Sequence, residues 1–394
     1  MHVLGKKKLL LSYALNVFLY VVTLPSRLFR KNRKPNLQSP RILVSRPDHI
    51  GDAVLSTPVF HSLRDKYPSS KIVLICGSWA AAVLKNNTHI DELWIIDCPW
   101  WTSIRKDAMP SKSSFFQTYK LFLERIRKEN FDVFIELRGD IRHTFLFGWL
   151  PNIPIRMGND RSGGDFLLTN VEKFQFEPHE IEKNYQVLRS LEPLNKYNKT
   201  EIFPSASDSV FFDKFPIQSK YVVLFNGGRS PLRHLPLDTL IELIRQLHKK
   251  HGFQCVMVGN KEDAEAASQI DSQLRDTSMF LSVCGMISLL EVRELIARAA
   301  LFIGTDSSVS HILASTKTPA ISLYGPMLPG QVKPLGEEKR TIYHQFPCSP
   351  CLQTKCVVNQ SFTESVCMRK ITAEEVMILA EDCLVTFNRL PEVN

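Results

Sequence analysis

Ile303-Gly304-Thr305-Asp306-Ser307-Ser308-Val309-Ser310-His311-Ile312-Leu313-Ala314 is the stretch on which the reading of the fold turns. Leu301, Phe302 and Ile303 form an apolar run that stops at Gly304. From Ser308 the apolar residues fall at helical spacing, and residues 319–324 read as the next buried strand. A strand, a tight turn and a helix in that order make half of a βαβ unit. Thr305, Asp306, Ser307 and Ser308 are all residue types that cap a helix N-terminus. The free N–H groups of such a helix point beyond the strand's carboxyl end, where the helix dipole favours an anion. His311, one turn inside, could add a donor to a phosphate. Taken alone, the same residues also read as a capped helix with a surface histidine.

A second loop of the same kind stands near the other end of the chain, at Arg41-Ile-Leu-Val-Ser-Arg46-Pro47-Asp48-His49-Ile50-Gly51-Asp52-Ala53-Val54-Leu55. Between and beyond these two loops come Arg233-His-Leu-Pro236, Tyr324-Gly325-Pro326, and Cys348-Ser-Pro-Cys351 followed by Cys356 and Cys367. With the Gly51-Asp52 turn and Asp306-Ser-Ser-Val-Ser-His311, this ordered set resembles glycosyltransferase family 9, which includes the ADP-heptose-dependent lipopolysaccharide heptosyltransferases. The resemblance covers roughly residues 41–385, with its parts in the family's order. It implies a GT-B fold, two Rossmann-like doubly wound α/β domains facing a cleft.

At 394 residues, 44% hydrophobic and 23% charged, the chain has the length for two domains and the composition to bury their cores. The net charge of +9 is placed unevenly. Lys6, Lys7, Lys8, Arg27, Arg30, Lys31, Arg33 and Lys34 lie within the first 34 residues, which hold no acid. The remaining chain is close to neutral, so a nucleic-acid partner is excluded as the meaning of the charge. Between the basic clusters lies the apolar stretch 9–24. As a helix it reaches about 24 Å, short of the roughly 30 Å hydrocarbon core. Tyr13, Asn16 and Tyr20 suit an interfacial helix, and the basic flanks suit an anionic membrane surface. A helix docked on the protein body is the other reading.

The alternation of short apolar runs with helical patterns divides the chain into a membrane-associating segment and linker (1–40) and two Rossmann-like domains (41–205 and 206–371). Strands are expected at 42–45, 72–76, 93–97, 132–137, 221–225 and 254–258, with helices after most of them. Residues 99–114, with Trp100 and Trp101, read as an irregular loop. The resemblance implies that the last helix, within 372–394, packs back on the N-terminal domain. No GxGxxG, Walker, HExxH or EF-hand pattern follows any strand, which weighs against dehydrogenase and NTPase chemistry.

Sugar transfer from a nucleotide donor needs a base for the acceptor hydroxyl and stabilisation of the departing diphosphate. Asp52 stands where a strand hands over to a helix, and the resemblance gives it the role of base. Asp52 also fits a cap for a helix beginning at Ala53, and spacing leaves Asp48 and His49 open as rival bases. For the nucleotide and its diphosphate the candidates are Arg233, Glu262, Asp306, Ser307, Ser308 and His311. Arg233 falls where most of the family has lysine, and Ser307 and Ser308 depart from the commoner Asp-Thr-Gly form. His179-Glu180 resembles a segment near the acceptor side. Cys348, Cys351, Cys356 and Cys367 read as reduced structural thiols, as a structural zinc site whose second half lacks its own CxxC, or as a disulfide or redox-linked set. No cofactor and no catalytic metal are expected.

The expected function is therefore inverting transfer of a sugar, heptose from an ADP-sugar first among them, onto a lipopolysaccharide-core or other lipid-linked glycan at the cytoplasmic face of a bacterial inner membrane. A transferase with another donor, or a tethered sugar-nucleotide-binding protein without turnover, are the rivals.

Overall fold

The computed structural model describes residues 6–29, 33–100, 112–228, 230–351 and 354–389. Trp101, most of the irregular loop around it, and the basic residues Arg30 and Lys31 lie outside these. The chain divides after Asn198 into two compact units, seven residues before the boundary expected from sequence.

In the N-terminal unit the strands are β1 (Ile42–Ser45), β2 (Ile72–Cys76), β3 (Glu92–Ile95), β4 (Val133–Glu136), β5 (Ile155–Asn159) and β6 (Asn170–Glu172). They form one sheet in the order β3-β2-β1-β4-β5-β6, parallel throughout. The C-terminal unit repeats the plan with β7 (Tyr221–Phe225), β8 (Gln254–Val258), β9 (Phe280–Ser282), β10 (Leu301–Thr305), β11 (Ala320–Tyr324) and β12 (Lys339–Tyr343), in the order β12-β11-β10-β7-β8-β9. All its pairings are parallel as well.

The central strands are buried at every position. Parallel strands joined by crossover helices are covered on both faces, so each reads as a continuous apolar run. The edge strands β3, β6 and β12 are only partly covered and carry polar residues. In each sheet the strand order reverses between the first and fourth strands. A crevice opens beyond the carboxyl ends of that pair, the usual place for a ligand in such sheets. Here the pairs are β1 with β4 and β7 with β10.

The last helix, Ala373–Thr386, commits its apolar face to the C-terminal unit, where Val376, Met377, Ala380, Cys383 and Leu384 join the core formed by Val222, Leu224, Ile303 and Ile321. Two expectations from sequence need correction. The apolar N-terminal segment is longer than 9–24: its helix runs Lys6–Phe29 and passes through Pro25. On the N-terminal side of Pro25, Thr23 Oγ1 donates to the Leu19 carbonyl and Arg27 to that of Tyr20. Finally, the polar stretch read as a linker is strapped down where it is described. Arg33, Asn36 N–H and Arg41 N–H all engage the buried Asp132 carboxylate.

Candidate active site

Beyond β1 the chain turns at Arg46-Pro47-Asp48-His49 into the helix Ile50–Leu55. The helix starts earlier than expected, with His49 at its N-cap, so Asp52 sits inside the first turn and caps nothing. Arg46 leaves the strand end almost wholly buried, 1% exposed, among three carboxylates. Its guanidinium lies 2.7 Å from Glu180 and 3.8 Å from both Asp48 and Asp52. It also donates to the Leu137 carbonyl at 2.9 Å. From the switch strand β4 comes Arg138, which pairs with the other oxygen of Asp48. Asp48 further accepts the His49 N–H at 2.7 Å.

These contacts divide the carboxylates by role. Asp48 is held well below the usual carboxylate range: burial opposes its charge, but Arg138 and Arg46 outweigh it. Glu180 is lowered too, Arg46 outweighing burial. Asp52 goes the other way. Burial raises it well above an ordinary aspartate, and the negative charges of Asp48 and Glu180 add to that against Arg46 and Arg138. Its side chain keeps 30% of its exposure, against 3% for Asp48 and 14% for Glu180. Asp52 is thus the reachable and most basic of the three. Asp48, His49 and Asp52 bring one ligand atom each within 4.8 Å of one another. Both Asp48 oxygens already face arginines, so the positive charge a metal would supply is present as guanidinium.

The turn that carries Arg138 is itself built. The fully buried Glu136 carboxylate accepts the N–H groups of Gly139 and Asp140, and Gly139 takes a φ of +78°. A Cβ there would also lie 1.9 Å from Asn159 Oδ1, so only glycine fits. Arg46, Arg138 and Glu136 were not singled out from sequence. Arg46 lay within the quoted loop, but nothing in its spacing showed that it would be buried among acids.

In the C-terminal unit the corresponding crevice holds different chemistry. Gly227 and Gly228 follow β7, the latter at φ +117°; Arg229 lies outside the described residues. A Cβ on Gly227 would fall 2.5 Å from Asp263 Oδ2, and one on Gly259 would fall 2.7 Å from the same atom. The loops after β7 and β8 therefore close on a buried Asp263, which exchanges hydrogen bonds with Asn260 through its carboxylate and its N–H. Glu262, the sequence candidate, is exposed at the N-cap of the helix Asp263–Leu274 and makes no capping bond.

After β10, Asp306 is 6% exposed and pairs at 2.9 Å with Arg233, whose side chain remains 32% exposed. Burial raises Asp306 while Arg233 pulls it down. Ser307 caps the helix Ser308–Leu313, its Oγ accepting the Val309 N–H at 3.2 Å. Ser308 is the first residue of that helix. His311 is 7% exposed, so it is no surface histidine. Tyr324 ends β11 with its hydroxyl buried and, among the described residues, without a hydrogen-bond partner; burial drives its pKa well up, and Asp306 adds to this. Arg233, Asp306, Ser307 and Ser308 thus gather at the carboxyl ends of β7 and β10, and Glu262 stands apart at the end of β8.

Cys348 and Cys351 are partly exposed, Cys356 and Cys367 buried, and all are free thiols. No three of their sulfurs approach within 4.8 Å of one another. A four-thiolate zinc needs each sulfur about 2.3 Å from one point, and this loop does not present that arrangement. What it does is pack on the turn after β11. Cys351 N–H donates to the Pro326 carbonyl at 2.7 Å, and a Cβ on Gly325 would fall 3.0 Å from the Cys367 sulfur.

Two parallel units of one strand order, each with its polar side chains at the carboxyl ends of the switch strands, define a GT-B glycosyltransferase. The model of glycosyltransferase family 9 (heptosyltransferase) matches residues 120–361, more than half of the chain, and the chain belongs to that family. Asp52 falls outside the matched stretch. Among its relatives are lipopolysaccharide heptosyltransferase 3 of Escherichia coli (strain K12), 27% identical over 70% of this chain and 79% of that protein. Lipopolysaccharide heptosyltransferase 2 of the same strain is 22% identical over 77% and 87%. In fold the chain is similar to E. coli ADP-heptose lipopolysaccharide heptosyltransferase II, with a TM-score of 0.72 at 20% identity, covering 88% of this chain and 99% of that one. It is also similar to E. coli heptosyltransferase WaaC with ADP, with a TM-score of 0.65 at 18% identity over 87% and 99%.

Proposed function

We propose that this glycosyltransferase moves heptose from ADP-heptose, with inversion and without a catalytic metal, onto a lipopolysaccharide-core or other lipid-linked glycan at the cytoplasmic face of a bacterial inner membrane. The observation that carries the reading is Asp52, a partly exposed carboxylate at the switch point with a raised pKa beside two carboxylates pinned by arginines. A base must hold its proton more tightly than an ordinary aspartate to be useful near neutrality. Asp48 and Glu180 are spent on Arg46 and Arg138, so Asp52 alone combines basicity with access.

In the step proposed, Asp52 takes the proton of the acceptor hydroxyl as its oxygen bonds to the anomeric carbon. The bond from that carbon to the diphosphate oxygen breaks on the opposite face, and ADP leaves with the electron pair. Arg233 meets the developing charge, and Asp306 keeps its guanidinium in place. An aspartate would repel a diphosphate, so Asp306 serves as the holder of Arg233 rather than as a phosphate contact. Ser307, Ser308 and the backbone beside Gly228 make room for the phosphates, His311 backs them, and Glu262 is left for the nucleoside. The relatives' names support heptose and lipopolysaccharide, and the ADP bound in one similar structure supports the donor base.

The test is transfer from ADP-heptose to lipopolysaccharide prepared from a strain lacking the gene, with the new linkage read by NMR. The expected product has the anomeric configuration opposite to the donor's, at a rate unaffected by chelator. Transfer only from a UDP- or GDP-sugar would overturn the donor, retention would overturn the mechanism, and sugar-nucleotide binding without any transfer or hydrolysis would overturn the enzyme.

A further inference from the structure

We propose that the N-terminal helix Lys6–Phe29 lies flat in the surface of an anionic bilayer, clamped along one side to the N-terminal unit and sunk along the other in lipid, and does not cross the membrane. The inference rests on the reading of the acceptor as lipid-linked, since it names the surface on which that acceptor is met.

Length does not decide between lying and spanning. Twenty-four helical residues reach about 36 Å, enough to cross. Contacts along the helix do decide. Ser12, Leu15, Asn16, Leu19, Thr23 and Arg27 recur every three or four residues and form one stripe against the protein. Leu19 is 4% exposed and Thr23 fully buried. Leu19 packs with Ile141, Trp149 and Leu167. Asn16 Nδ2 donates to the Ser162 carbonyl at 2.8 Å. Gly163, at φ +81°, leaves Asn16 its place, because a Cβ there would lie 2.1 Å from Asn16 Oδ1. Tyr20 meets Phe166 edge to face at 5.2 Å, and the Arg27 guanidinium lies over the Tyr20 ring at 4.3 Å. A spanning helix would have this middle stretch in hydrocarbon, where none of these partners could follow.

The opposite side is apolar and open. Leu10, Leu11, Phe18, Val21, Leu28 and Phe29 are between 61% and 83% exposed. At 100° per residue these six span roughly 100° of the helix, and the exposed Val17, Val22 and Leu24 widen the face to roughly 160°, too wide a face to be left in water. Charge selects the occupant. Lysines precede the helix face and arginines and lysines follow it, with no acid among the first 34 residues. Anionic headgroups complement that pattern, whereas a second copy of the chain would set like charges together.

The docking also fixes which part of the unit meets the lipid. Ser162, held by Asn16 through its carbonyl, donates its hydroxyl to the Gly139 carbonyl at 2.6 Å and accepts the Ile141 N–H at 2.9 Å. Gly139 follows Arg138, the partner of Asp48. The lipid-facing helix is thereby fastened to the rim that bears the base, and that rim is brought to the bilayer surface.

The full chain should co-sediment with phosphatidylethanolamine–phosphatidylglycerol vesicles that hold neither glycan nor sugar nucleotide, so that binding is read apart from transfer. A Val17→Ser, Phe18→Ser, Val21→Ser variant should lose on the order of 100-fold in vesicle partition with an unchanged melting temperature. Lys8→Cys and Lys34→Cys, made separately on the vesicle-bound chain, should both react with an impermeant maleimide added outside, as read by peptide mass spectrometry. Reaction at one end only until detergent opens the vesicles would show a spanning helix and overturn the proposal. So would absence of vesicle binding, or a dimer in vesicle-free solution that the triple variant abolishes. A chain that lies flat on vesicles yet transfers no sugar would support the docking and sink the proposed reaction instead.

Discussion

The two units share a strand order and differ in what stands at the switch point. Beyond β1 and β4 the N-terminal unit sets a buried arginine and a partly exposed one against three carboxylates. Beyond β7 and β10 the C-terminal unit offers glycines, serines and one partly exposed arginine held by a single aspartate. One backbone plan thus carries two electrostatic designs. Crowded like charges in a place poor in water push pKa values apart, which is what proton transfer needs. Small residues and an arginine with a free side leave space and charge for a ligand that arrives already ionised. The topology chooses the place, and the residues at the strand ends choose the chemistry.

The strongest way to break this contrast is to remove the base. Asp52→Asn keeps size and helix but not the carboxylate, and turnover should fall on the order of 100- to 10,000-fold while ADP affinity, by calorimetry, stays unchanged. A near wild-type rate would shift the role to Asp48 or His49. In the other unit Arg233→Ala should act on binding first, weakening ADP by on the order of 10- to 100-fold, as expected for loss of a charge-assisted contact. Arg233→Lys should restore part of it, since most of the geometry but not the forked donor is kept. Unchanged ADP affinity in Arg233→Ala would leave the pair with Asp306 as structure only.

A finer test sharpens the N-terminal side. Asp48 is an anion whose charge raises Asp52. Asp48→Asn removes that charge and leaves Arg46 and Arg138 in place, so the Asp52 pKa should drop. The rate of a base-catalysed step rises with pH through the base's pKa, so the acidic limb of the pH–rate profile should move to lower pH. Movement to higher pH would contradict the assignment of Asp52. The smallest effect is expected from the cysteine loop. Cys348→Ser with Cys351→Ser touches partly exposed thiols and should cost under about 1 kcal/mol, with no change on adding chelator. Cys367→Ser, buried beside Gly325 and Met368, should cost more. A chelator-dependent loss of melting temperature in the parent chain would instead reveal a metal.

The central strands were legible because a parallel strand covered on both faces is buried throughout and so mostly apolar, as Ile42–Ser45, Tyr221–Phe225 and Leu301–Thr305 are. The edge strand β3 was also legible, but the edges β6 and β12 were not: they read Asn-Val-Glu and Lys-Arg-Thr-Ile-Tyr, and neither shows the run or the alternation that marks a strand. The loops holding Asp52 and Asp306 could be found by their position between strand and helix, a local relation that sequence preserves. What Asp52 faces could not, because Arg46, Arg138 and Glu180 come from three separated segments that only the sheet brings together. The same holds at the termini. The residues of 6–29 declare an apolar helix by themselves, but which side of it is clamped depends on Ser162 and Phe166, far along the chain. The last helix shows the converse, an amphipathic pattern plain in sequence whose partner had to be learned from the core it joins. Sequence determines the local preferences of backbone and side chain, whereas burial and ion pairing depend on distances between segments, and those exist only once the chain has folded.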